Sequence, residues 1–162
     1  MNTNLAPIIH LGTAGTYLCA AGDSYRVLLT GAQTGGHFLL AEVLVRPGGG
    51  PPPHIHRDED ETFYVLEGEL TVQLGDRTEV IGPNSTVFAP RDLPHRFTNT
   101  SDHLVRLLVL TTPAGLEAFF SEFAHPLPHR EAVPLAFGPA DVAKLLAAAP
   151  KFGIEFLTSP KK

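Results

Sequence analysis

Glycine and proline, 15 of each in 162 residues, fall between short apolar stretches and are not gathered into one linker. Such punctuation reads as many short strands joined by turns, hence a sandwich or a barrel. The apolar stretches predict strands over 25–30, 37–46, 61–67, 69–74, 78–81, 86–89, 96–98 and 104–111. The steps Glu67-Gly68-Glu69 and Gly75-Asp76 are turn signals between consecutive strands. Cys19 reads as a small buried apolar residue on an earlier strand.

The pattern changes after Thr112. Pro113 is suited to the first position of a helix with Thr112 as its cap. Leu116, Phe119, Phe120 and Phe123 follow at i, i+3, i+4 and i+7, the apolar stripe of an amphipathic helix. Residues 140–149 favour a second helix, which Pro150 interrupts. The expected layout is one domain overall, a β-barrel with N-terminal strands over 1–112 and a helical tail over 113–162. The tail is expected to cover the outer face of the barrel.

Lys plus Arg number 12 against 17 Asp plus Glu, a net charge of -5. That sign argues against nucleic acid as a partner, because phosphate binding needs a basic surface. The longest apolar runs, such as 107–110, are strand-sized, so no membrane partner is expected. The first nine residues show no basic region followed by an apolar core. A single cysteine excludes an intramolecular disulfide and suits a reducing compartment. These features together predict a cytoplasmic protein.

Of the eight histidines, two stand out by spacing. Residues two apart on a strand share a face, so His54-Ile55-His56 presents two imidazoles side by side. Neutral imidazole is the commonest nitrogen donor to first-row transition ions. Within the acidic run Asp58-Glu59-Asp60-Glu61, Glu61 opens an apolar strand that can hold a carboxylate beside the histidine pair. Asp58, Glu59 and Asp60 are assigned to the loop and to no metal role. His95 follows the turn-like Pro90-Arg91-Asp92-Leu93-Pro94, as a ligand from a neighbouring strand would.

Gly48, five residues, His54, one residue, His56, four residues, Glu61, six residues, Gly68 resembles the first motif of the cupins at every position. The second cupin motif is matched by Pro90, His95 and Asn99, with Asn84 and Asp92 standing where glycines are expected. Asn and Asp tolerate positive φ better than other non-glycine residues, so both turns stay feasible. The resemblance implies an all-β jelly-roll barrel, here with short C-terminal helices. It also implies one divalent transition ion per chain (Fe, Mn, Ni, Cu, Co or Zn) held by His54, His56, Glu61 and His95. The tail after Thr112 is similar to bacterial cupins described as quercetin dioxygenase-like, and family habit suggests a homodimer.

Three imidazoles and one carboxylate leave two positions of a six-coordinate ion open. A redox-active ion there suits a dioxygenase acting on a small aromatic or enolisable substrate of the flavonol, catechol or diketone type. A Lewis-acid ion suits an isomerase, cyclase, decarboxylase or lyase. A non-enzymatic small-molecule binding module is the third reading. Glu61 is also the candidate catalytic base, and Phe63, Phe88, Phe97 and Arg106 are the candidate walls of a substrate pocket.

Overall fold

A computed structural model describes residues 5–12, 14–129, 132 and 137–157. Two antiparallel sheets form the jelly roll. The larger has the order β11-β1-β2-β3-β10-β5-β8 and the smaller β12-β4-β9-β6-β7. Here β1 is Thr16–Ala20, β2 Asp23–Leu29, β3 Leu39–Val45, β4 His54–His56, β5 Asp60–Glu67 and β6 Leu70–Leu74. The rest are β7 Arg77–Ile81, β8 Thr86–Ala89, β9 His95–Thr98, β10 Val105–Thr112, β11 His125–Pro126 and β12 Ile154–Phe156. Among the described residues no helix is long and apolar enough to cross a membrane.

Strand alternation places the core. On β10, Val105, Leu107, Val109 and Thr111 are buried, and their neighbours in sequence are only half-buried. On β5 the inward residues are Glu61, Phe63 and Val65. Of these, Val105, Leu107, Val109, Phe63 and Val65 pack with Val43, Val45, Leu70, Val72, Val87 and Phe97 in one apolar cluster between the sheets. A second cluster joins Val27, Leu39 and Ala41 to the segment that follows the barrel.

Several turns behave as their residues require. Asn84 and Asp92, the two motif positions lacking glycine, adopt φ of 69° and 66°. Gly50 has φ of 114°, and a Cβ there would lie 2.1 Å from Phe97 O, so only glycine fits. Asn99 is fully buried and fully bonded. Its Nδ2 donates to Val45 O at 3.0 Å and His103 O at 2.6 Å, and its Oδ1 accepts from Ser101 N at 3.0 Å. That asparagine therefore locks the loop after β9 to the end of β3.

The loop between β3 and β4 is clamped by Asp23. Its two carboxylate oxygens accept from Arg46 N at 3.0 Å and Gly50 N at 2.8 Å. Burial pushes this carboxyl up to about 6, against the downward pull of those two N–H groups and the Arg46 charge. A carboxyl raised above its unfolded value of about 3.9 gives stability that is full below that value and lost as pH rises through about 6. The loss is on the order of 3 kcal/mol. The Asp23 carboxyl carbon should titrate in NMR with a midpoint near 6. A midpoint at or below about 4 would mean that the N–H bonds outweigh burial.

The tail departs from the expected layout. Helix α1, Gly31–Thr34, is an unforeseen short turn, and it delays β3 to Leu39. Helix α2 is Leu116–Phe123, with Gly115 and not Thr112 at its cap. Thr112 is unavailable because β10 still pairs it with Asp60. Helix α3, Pro139–Ala148, runs into a 3₁₀ turn, Ala149–Phe152. Strand β12 then pairs with β4, setting Ile154 opposite His56 and Phe156 opposite His54.

Candidate metal centre

Three strands and one cross-strand bridge bring the donors together. His54 and His56 share the inward face of β4, and His54 pairs directly with His95 on β9. Glu61 enters from the opposite sheet, between Ala89 and Thr111. One ligand atom from each of His54, His56, Glu61 and His95 lies within 4.8 Å of all the others, and all four residues are buried. Asp60, one residue earlier, points outward and receives Arg91 Nε at 3.1 Å and Nη2 at 2.8 Å.

The hydrogen bonds of the rings fix which nitrogen faces inward. His54 Nδ1 donates to Pro52 O at 3.0 Å and His95 Nδ1 to Leu93 O at 2.8 Å. A carbonyl only accepts, so in each neutral ring Nε2 carries a lone pair. His56 Nδ1 faces Glu59 Oε2 at 3.1 Å, which leaves its Nε2 inward as well. Yet His54 Nε2 and His56 Nε2 stand 3.1 Å apart, and His95 Nε2 is 3.0 Å from Glu61 Oε2. Lone pairs this close need a cation between them, either a proton or a metal ion bound by both. Donors on one first-row ion at about 2.1 Å sit roughly 3 Å apart in adjacent positions, so the group fits such an ion.

The charges agree with that arrangement. Burial, reinforced by the neighbouring His95, lowers His54 to about 3, so this ring is a neutral donor. His56 is also buried, but the Glu59 hydrogen bond and the Glu61 charge outweigh burial and raise it. Burial works to raise Glu61, and the His95 hydrogen bond with the surrounding imidazoles overcomes it and holds the carboxylate low. A buried carboxylate held ionised beside three inward-facing ring nitrogens is a ready set of donors for a divalent cation.

The segment 41–111, which holds all four donors, matches a sequence model described as a cupin domain. The chain is also 26% identical over 154 residues to quercetin 2,3-dioxygenase of Bacillus subtilis, covering 90% of this chain and 45% of that enzyme. Its fold matches an RmlC-like cupin from Shewanella frigidimarina with a TM-score of 0.55 at 19% identity, over 64% of this chain and 88% of that one. Residues 41–111 are a cupin domain. A further relative, polyketide synthase CurC of Streptomyces cyaneus, is 32% identical over 93 residues, covering 57% of this chain and 60% of that protein. The chain thus spans 45% and 60% of the length of these two curated relatives.

Beside the donors the chain has a cavity of about 60 Å³. Its polar lining groups are His54, His56, Glu61 and the phenol of Tyr25; the remaining walls are apolar. Phe97 lines it, whereas Phe63 is absent from its walls and sits in the core, 5.3 Å from the Phe97 ring and 6.3 Å from His95. Two further pocket expectations, besides Phe63, need correction. Phe88 pairs with Thr62 on the outward phase of β8 and is 57% exposed. Arg106 lies on the outward phase of β10, where it meets Glu67 and stands 3.8 Å from Glu42.

The aromatic wall comes from the tail. Phe119, Phe120 and Phe123 of α2, with Phe156 of β12, line the cavity together with Leu145 and Ile154. The stripe at 116, 119, 120 and 123 is legible in the sequence, but its partner is the cavity and the second core cluster, not simply an outer sheet face. Glu59 is the other correction. It is 5% exposed and touches His56, although its acidic neighbours suggest a solvated loop.

Proposed function

We propose that this cupin is a mononuclear metal-dependent enzyme, a dioxygenase for a small aromatic or enolisable substrate. The observation that supports this reading is the convergence of three imidazoles and one carboxylate beside a cavity with otherwise apolar walls. A bound divalent ion would supply Lewis acidity there and, if redox-active, a site for dioxygen chemistry.

The protein's own contributions follow from the lining. The rings of α2 and β12 exclude water and offer flat surfaces to a planar substrate. Burial, with the charges of Asp23 and Glu61 behind it, keeps the Tyr25 phenol well above its ordinary value, so it stays protonated and donates a hydrogen bond to a substrate oxygen. Glu61 turns Oε2 toward His95 among the donors and keeps Oε1 to hold a proton taken from an enolisable carbon or hydroxyl. The free volume admits a few waters or a compact ligand. A catechol or β-diketone therefore suits the cavity better than a three-ring flavonol, which needs the α2 wall to move outward.

The similarity to polyketide synthase CurC favours one second reading, Lewis-acid conversion of a carbonyl compound without oxygen. Metal analysis combined with oxygen-electrode assays on catechols and β-diketones separates the two. Metal-dependent oxygen uptake is the expected result. Conversion under anaerobic conditions would replace it with the Lewis-acid reading. Equal affinity of metal-free and metal-loaded protein for the same compounds, without turnover, would leave a binding module.

A further inference from the structure

The three imidazoles of the centre are oriented by unlike partners. His54 and His95 each give Nδ1–H to a backbone carbonyl, which is fixed by the chain path and uncharged. His56 alone gives it to a carboxylate, Glu59 Oε2 at 3.1 Å. Glu59 is buried, and its second oxygen, Oε1, has no hydrogen-bond partner among the described residues. An ionised carboxylate with a single hydrogen bond is costly to bury unless a positive charge lies close. No lysine or arginine makes an ion pair with it among the described residues; its ion-pair partner is His56.

We propose that Glu59 is a positioning residue that fixes the His56 tautomer and holds that ring with Nε2 turned toward the other donors. This rests on the metal-binding reading of His54, His56, Glu61 and His95. Through the His56 ring the carboxylate also raises the donor strength of Nε2, as carboxylate partners of metal-bound histidines do.

Glu59 also lies close to the cavity wall. A Cβ added at Gly115, the cap of α2, would lie 2.6 Å from Glu59 Oε1. Gly115 has φ 175°, outside the left-handed range that favours glycine. The atom it would meet is the free end of a flexible side chain, so the substitution displaces Glu59 and leaves all four ligands untouched. Glu59 is therefore a strut between the first turn of α2 and the metal strand.

The test uses the full chain with Glu59→Gln, Glu59→Ala and Gly115→Ala. Imidazole ¹⁵N spectra of the metal-free proteins at alkaline pH read the tautomers directly. Wild type and Glu59→Gln should hold His56 with hydrogen on Nδ1, since an amide oxygen still accepts. Glu59→Ala should lose that preference while His54 and His95 keep theirs. Chelator competition for Zn²⁺ should then show Glu59→Ala weakened about ten- to a hundredfold, Glu59→Gln by an intermediate factor, and Gly115→Ala in the same direction. A purely space-filling role predicts wild-type affinity for Glu59→Gln and would overturn the proposal, as would an unchanged His56 tautomer in Glu59→Ala. If Glu59→Ala fails to fold, the other two variants carry the comparison. A wild type that binds no Zn²⁺ sinks the metal reading itself; tight wild-type binding with unaffected variants sinks only the role of Glu59.

Discussion

Replacing His54 and His56 together with alanine should lower metal content from about one ion per chain to less than about a tenth, with the barrel still folded. Both rings come from β4, and each contributes a nitrogen that nothing else in the centre replaces. The strand itself is held by β12 on one edge and β9 on the other, so the pairing survives truncation of the side chains. Glu61→Gln should also weaken metal retention strongly, because an amide is a poor ligand, whereas Asp60→Asn should leave it unchanged. Asp60 is engaged with Arg91 on the outside of the barrel. Native mass spectrometry reads the occupancy. Full occupancy in the double variant, or a larger loss in Asp60→Asn than in Glu61→Gln, would refute the assignment. Protons compete for the same lone pairs, so wild-type occupancy should fall as pH drops through the range in which His56 charges. Burial opposes that charging, but Glu59 and Glu61 shift it upward.

The largest effect on stability is expected at Phe63. It is 1% exposed and packs edge-on against Phe97, with ring planes at 78°. Phe63→Ala removes a whole ring from between the two sheets, and the β5–β10 and β5–β8 ladders on either side limit how far the site can collapse. The cost should be about 3–5 kcal/mol in denaturant unfolding with little change in m. Phe88→Ala, on the opposite phase of β8, should cost less than about 1 kcal/mol. Equal losses at the two positions would show that the strand phases are wrong. Phe63 also backs the His95 ring, so the same variant should loosen metal retention at temperatures well below its unfolding midpoint.

The β-rich class, most strand positions and the four donors are legible in the sequence because each depends on local rules. Turn residues cut the chain into strand-length pieces, and a period of two places His54 and His56 on one face. Gly48, Gly68 and Asn99 hold the same motif spacing. Even the departures at Asn84 and Asp92 are readable, since both side chains tolerate the positive φ that the turns impose. The phase of Phe88 and Arg106 is not readable, because an apolar or charged residue in a short strand fits either face until its partner strand is known. Thr62 opposite Phe88 and Glu67 opposite Arg106 settle those phases through pairing.

What the tail does is also a matter of tertiary structure. The stripe of α2 declares an apolar face but not what it meets, and three residues, Ile154–Phe156, carry too little pattern to announce a strand. They form one because β4 presents a free edge whose backbone groups need partners, a demand created only when the barrel closes. Glu59 was hidden for the same reason. In sequence it is one acid among four, and only the fold buries it against His56 and beside Gly115, far along the chain. The sequence by itself determined the β-rich pattern, the ligand types and their spacing. Burial, strand phase and the company each side chain keeps were decided by contacts between residues far apart in the chain.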